Sequence, residues 1–364
     1  MSVTRLGANA FLVELPAQLA DSDGIPITEA LTANLHGKNG FLLLDFGAVQ
    51  FMNGLGAYSL VKLNVLTGEF GFRLLAYNVS QHYKDVLKVT GLAWVIKIYD
   101  SRKDAYKEAG VTNISQMAKA VLQNPSDDES FWAKPVLRLS EPEMPPEAIN
   151  RNMKGRRVVG PIEGFGQLWQ KTYRLTIEKQ GLTAKEVITT LKQKLPAFQP
   201  PFNHFYPTKA GIIPGEVVAI DSSTPGGPVS TGVLVLYADD VSFTFMTPQG
   251  HPESGWVTFS AYEKDGKITA QIIGLARAND PVFEAAFRTV GSKMQVKIWK
   301  HVLVSLAEYL GVPPDVMVEP RCIDKNLQWS QLGNIWYNAQ IRTIFYMPFR
   351  GLGKMLNRSK GKGK

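Results

Sequence analysis

Up to about residue 110, short apolar runs alternate with segments whose apolar residues recur at helical spacing, the pattern of an α/β domain. Phe11 to Leu15 predicts a strand and Ile27 to His36 a helix with Ile27, Leu31 and Leu35 on one face. Phe41 to Val49 is a nearly continuous apolar run, which predicts a central strand buried on both faces. Ala57 to Leu66 follows as a helix, Phe72 to Tyr77 as a strand, and Ser80 to Val89 as a helix capped by Ser80. Val95 to Tyr99 predicts a strand, and Ser101 to Ala109 a helix capped by Asp100 or Ser101. From Gly160 onward the pattern turns β-rich, with strands over Trp169 to Ile177, Gly215 to Asp221, Ser230 to Tyr237, Val241 to Thr247, Gly255 to Lys264 and Lys267 to Leu275. Thr183 with Glu186 three residues on marks the start of a helix to Leu195, and Asp265-Gly266 is a hairpin turn between alternating strands. A four-residue apolar stripe from Val282 to Leu310 predicts one long helix, Pro281 to Leu310, packed across the sheet.

Between these regions, residues 111 to 155 are rich in Pro, Ser, Glu and Asp and read as a linker carrying one short helix, Ile114 to Leu122. The domain plan is therefore 1–110, a linker 111–155, 156–340, and a basic tail 341–364. Composition changes this picture little: 45% hydrophobic and 20% charged residues are globular values, which excludes a disordered or fibrous chain. The net charge of +8 is concentrated at the end, where Ile341 to Lys364 holds seven basic residues and no acidic ones. The first 110 residues hold ten of each sign, so specific nucleic-acid binding is not expected. One cysteine, Cys322, excludes a disulfide framework and points to a reducing, cytoplasmic setting. No apolar run reaches the roughly 18 residues of a spanning helix, and no signal peptide is expected.

The segment Leu44-Asp45-Phe46-Gly47-Ala48-Val49-Gln50-Phe51-Met52-Asn53-Gly54-Leu55-Gly56, with Thr90-Gly91-Leu92 and Asp100 to Ala105 after it, resembles the STAS domain of anti-sigma-factor antagonists. The resemblance implies a mixed α/β sheet with helices, and a partner-binding edge at Phe51, Asn53, Gly54, Leu55 and Gly56. Partners would be an anti-sigma factor, a kinase or another STAS ligand. Leu55 stands where switching members carry the phosphorylated serine, so this chain would dock without that switch or be controlled from elsewhere. The competing reading is that Gly54 and Gly56 only permit a tight turn.

The later order of strand, helix, antiparallel strands and long helix, with Gly250-His251-Pro252-Glu253-Ser254-Gly255 leading into a strand, is similar to the helix-grip fold of the START and birch-allergen superfamily. That resemblance implies an antiparallel sheet wrapping a long C-terminal helix around a cavity for an apolar or amphipathic molecule or lipid. Trp169, Tyr173, Phe243, Phe245, Trp256, Phe259 and Arg277 are the candidate ligand-binding residues, although aromatics that alternate along strands also fill cores. His251 and Glu253 are the candidate acid–base pair, against a rigid turn fixed by Pro252; no other catalytic residue stands out. Arg277 and Asp280 suit a polar head group, and Asp280 equally suits a helix cap before Pro281. The five histidines show no metal-ligand spacing, and neither a metal nor a cofactor is expected.

In the tail, Ile344 to Phe349 joins an aromatic cluster to basic residues, a combination that suits either a solubilising end or an anionic face of the inner membrane. Together these features predict a non-catalytic regulatory protein in which an interaction module without its phosphoserine is fused to a ligand-binding domain. The alternatives are a cyclase- or hydrolase-like enzyme using His251 and Glu253, and a lipid-binding peripheral membrane protein.

Overall fold

Local patterning accounts for most elements of the computed structural model, which describes residues 2–20, 39–111 and 128–348. The helices expected over Ile27–His36 and Ile114–Leu122, and the tail from residue 349 onward, lie outside the described residues. The chain divides into two compact units, Met1–Val136 with Leu236–Asp239, and Leu137–Val235 with Asp240–Lys364.

In the first unit, β1 (Ser2–Arg5), β2 (Ala10–Glu14), β4 (Gly40–Asp45), β6 (Phe72–Tyr77) and β7 (Ile96–Ile98) form a sheet in the order β1-β2-β4-β6-β7. Only β1 runs antiparallel to its neighbour; the others pair in parallel. β4 is central, and its Leu42, Leu43 and Leu44 are fully buried, as its unbroken apolar run requires. The strand stops at Asp45 rather than Val49, because that carboxylate accepts the Gly47 N–H at 2.8 Å and the Asn78 amide at 2.9 Å and bends the chain into a turn. A two-stranded parallel pair, β3 (Gln18–Leu19) and β5 (Phe51–Met52), leads into α1 (Gly54–Glu69). Helices α2 (Gln81–Val89) and α3 (Arg102–Glu108) start at the N-caps Ser80 and Ser101.

The second unit is built on an eight-stranded sheet in the order β15-β8-β14-β13-β12-β11-β10-β9. Its strands are β8 (Leu168–Ile177), β9 (Asn203–Tyr206), β10 (Val217–Thr224), β11 (Gly227–Ala238), β12 (Ser242–Met246), β13 (Glu253–Lys264), β14 (Lys267–Ala278) and β15 (Val316–Asp324). Helix α4 (Ala184–Lys194) begins with the expected capping box of Thr183 and Glu186. The β13–β14 turn has φ of 52° at Asp265 and 71° at Gly266, the paired positive values of a type I′ hairpin.

A second sequence expectation is also corrected. The stretch Pro281 to Leu310 is not one regular helix: α5 (Pro281–Ala286) passes through a π turn at Phe287–Gly291 into α6 (Ser292–Leu310). A strict four-residue stripe also drifts about 40° per step around an α-helix, so it cannot stay on one face. Val282 and Val290 are accordingly 40% and 48% exposed, while Trp299, Val302, Leu303, Leu306 and Ala307 face the core. No alternating pattern in the sequence marks β15; its Pro320 fits an edge strand, paired on one side to β8.

Candidate functional site

Pairing register decides which side chains line the inner face of the eight-stranded sheet. Lys171, Gly274, Val257 and Phe245 share one cross-strand row, and Tyr173, Ile272, Phe259 and Phe243 share the next. The second row is filled: the Phe243 and Phe259 rings stack at 4.5 Å and Phe259 meets Trp299 of α6 at 5.5 Å. Where the first row carries Gly274 the sheet has no side chain, and a cavity of about 290 Å³ opens against the π turn and α6. Its wall is largely apolar, including Phe205, Ile220, Val233, Phe245, Met294 and Ile298. A second, more polar cavity of about 420 Å³ shares Glu253, Gly274, Ala276, Phe287 and Gln295 with the first and reaches Trp169 and Lys171.

Glu253 and His251 both border the apolar cavity, but they do different things. The Glu253 N–H donates to His251 Nδ1 at 3.0 Å, and burial lowers the imidazole pKa to about 4, so the ring is neutral and its Nδ1 is occupied. Burial raises the Glu253 carboxyl to about 7, against a smaller opposing pull from Lys171. Gln295 donates its amide to Glu253 Oε1 at 2.6 Å, and Lys171 donates to Gln295 Oε1 at 2.5 Å. Lys171 and Gln295 carry no signal in the sequence: a lysine within a strand and a glutamine within a helix read as solvent-facing until the register is known.

Of the other candidate residues, Phe245 and Trp256 border the apolar cavity and Trp169 the polar one. Strand alternation puts the Trp256 side chain with Met246 and Leu275 on the opposite face from Val257. Tyr173, Phe243 and Phe259 are fully buried core residues that do not border either cavity. Arg277 is also apart from them: its guanidinium pairs with the Asp324 carboxylate and donates to the Gly166 carbonyl at 2.7 Å, tying β14 to the end of β15. Asp280 is a helix cap, accepting from the Val282 and Phe283 N–H groups at 2.9 and 3.0 Å. Cys322 is half-buried, and burial raises its thiol pKa, away from the reactive thiolate.

The edge expected to meet partners in the first unit is covered. Asn53, Gly54, Leu55 and Gly56 are buried and Phe51 is half-buried. Asn53 caps α1, its Oδ1 accepting from Leu55 and Gly56 N–H, and a Cβ at Gly56 would overlap the Leu19 carbonyl. The segment Asp128–Trp132 lies on this edge: Asp128 Oδ2 accepts the Met52 N–H at 2.9 Å, and the Trp132 indole donates to the Met52 carbonyl at 2.9 Å. The same carboxylate, fully buried, sits 3.1 Å from His82 Nε2 and 3.4 Å from the Tyr83 hydroxyl. The Ile344 to Phe349 cluster of the tail is described only in part, with Ile344 and Phe345 43% and 73% exposed. Among the described residues, no helix is long and apolar enough to cross a membrane and no side-chain group could hold a metal ion.

No protein family matches the chain, and no curated protein matches it. Among solved structures it is similar to a START superfamily protein from Mycobacterium smegmatis, at 16% identity over 40% of this chain and 99% of that one, with a TM-score of 0.31. It is also similar to the di-domain ARO/CYC StfQ from the steffimycin biosynthetic pathway, at 13% identity over 40% of this chain and 53% of that one, with a TM-score of 0.31. Ara h 8.0201 is similar at 12% identity over 38% of this chain and 99% of that one, with a TM-score of 0.26. The large antiparallel sheet and the long helix of the second unit are consistent with a helix-grip fold.

Proposed function

We propose that the second unit binds an amphipathic small molecule, with its apolar body between the sheet and α6 and its polar end at Glu253. The observation that carries this is the apolar cavity of about 290 Å³ that ends on a carboxyl group. A gap of this size in a core is costly unless filled, because its lining atoms forgo dispersion contacts. Gly274 provides the test: a Cβ there would meet only the Gln295 amide nitrogen, at 3.9 Å, so Gly274→Leu projects a side chain into the cavity. Native mass spectra of the wild-type chain should show a bound small molecule, or saturable uptake of an apolar dye, and G274L should lose both while staying folded. Equal uptake by the two proteins would refute the reading.

Two companion readings rest on separate observations. Acid–base catalysis is favoured by the Glu253 carboxyl near 7 inside the cavity, with His251 as its positioning neighbour and not as a proton carrier. A STAS-like, regulatory role for the first unit, docking through the Phe51–Gly56 edge, rests on the sequence resemblance alone. Docking of an anti-sigma factor or kinase on that edge would require Asp128–Trp132 to leave it.

A further inference from the structure

Side chains from three elements meet where the two cavities join. Lys171 of β8 is 6% exposed, and its ammonium donates to Ser292 Oγ at 2.9 Å and to Gln295 Oε1 at 2.5 Å. An ammonium has three N–H donors, so one is left over. With its carbonyl held by Lys171, Gln295 of α6 can present only its NH₂ to Glu253 Oε1. Glu253 Oε2 then makes no hydrogen bond among the described residues. One Lys171 donor, on the polar cavity, and one Glu253 carboxyl oxygen, on the wall both cavities share, are therefore left uncommitted where the two cavities join.

Charge balance selects what fits there. The neighbouring groups are settled: burial keeps His251 neutral and pushes the Tyr173 phenol well above its usual range, and Glu284 is paired with Arg288 at 2.8 Å. Lys293 of α6 also lines the polar cavity, but it is exposed and its charge is screened by solvent. What matters is the Lys171 ammonium with the Glu253 carboxyl, and a buried group of this kind is costly unless its charge is compensated. An ammonium on the ligand would set two cations against one carboxylate. A carboxylate on the ligand restores neutrality once Glu253 is protonated, and the burial that raises Glu253 places that protonation near neutral pH.

Resting on the ligand-binding reading above, we propose that the molecule bound in the second unit is an apolar monocarboxylic acid, its carboxylate accepting one N–H from Lys171 and one O–H from Glu253 protonated at Oε2. Binding then takes up a proton wherever Glu253 is ionised in the empty site. Affinity is level below the empty-site pKa of about 7, down to the ligand's own pKa, and falls about tenfold per pH unit above it.

The test is isothermal titration of the full chain with dodecanoate, dodecanol and dodecylamine, in buffers of different ionisation enthalpy from pH 6.5 to 8.5. Dodecanoate should bind at least about tenfold more tightly than the other two at pH 6.5, weaken about tenfold from pH 7.5 to 8.5, and take up close to one proton at the upper end. Lys171→Met should lose the preference for dodecanoate while still binding dodecanol, and Glu253→Gln should flatten the pH dependence. If dodecanol or dodecylamine binds the wild type as tightly as dodecanoate, or if dodecanoate binding is flat with pH, the carboxylate assignment fails and cavity binding stands. If none of the three binds, cavity binding itself fails.

Discussion

Glu253 carries the most consequence of any single residue, and it affects stability as well as binding. Its folded pKa of about 7 lies above the ordinary 4.5, so between those values the folded state holds a proton that the unfolded chain has released. Stability attributable to this group therefore falls as pH rises from about 4.5 to 7 and stays low above that. Glu253→Gln should be more stable than the wild type at pH 8, by at most about 3 kcal/mol, with the gain vanishing near pH 4.5; urea denaturation at both pH values would show this. His251 acts in the opposite sense, because its pKa of about 4 destabilises the fold as pH falls below 6.5, and it should dominate the acid limb of the variant. Both residues were visible in the sequence as a motif of turn and titratable groups. Their partners were not, since Lys171 and Gln295 meet Glu253 only through strand register and helix placement, which single-chain patterning does not fix.

At the scale of elements, positions with a local cause were legible. Ser80, Ser101 and Thr183 cap the helices their chemistry marks, Asp265-Gly266 makes its hairpin, and the apolar run of β4 is central. What escaped was set at a distance: β15 pairs with a strand about 150 residues earlier, and the π turn at Phe287–Gly291 breaks a helix whose apolar stripe continues through it. Such a turn amounts to one extra residue in an α-helix, and here it borders both cavities. Deleting Thr289 should let α5 run into α6 as one regular helix without rotating either end. The expected outcome is unchanged or higher thermal stability together with a loss of cavity binding, measured by thermal melts and dye uptake on the same sample.

At the scale of the whole chain, composition misjudges what belongs to what. The acidic, proline-rich stretch up to residue 155 reads as a linker, yet Asp128 and Trp132 fall within the first unit and reach back 76 and 80 residues to Met52. Asp128→Ala would leave the buried Met52 N–H without its carboxylate acceptor, at a cost of about 1 to 3 kcal/mol. Amide hydrogen exchange should report this as faster exchange at Met52 and Asn53 in D128A, with the β8–β14 amides unchanged. The Trp132 contact also has an optical consequence. An indole that is 5% exposed and hydrogen-bonded to a backbone carbonyl emits at shorter wavelength than one in water, so the difference spectrum between the wild type and W132F isolates a fluorophore seated on the Met52 edge. A red shift of that difference signal on adding a protein would mean that the edge has been vacated, which turns the chain into its own sensor for whatever competes with residues 128–132.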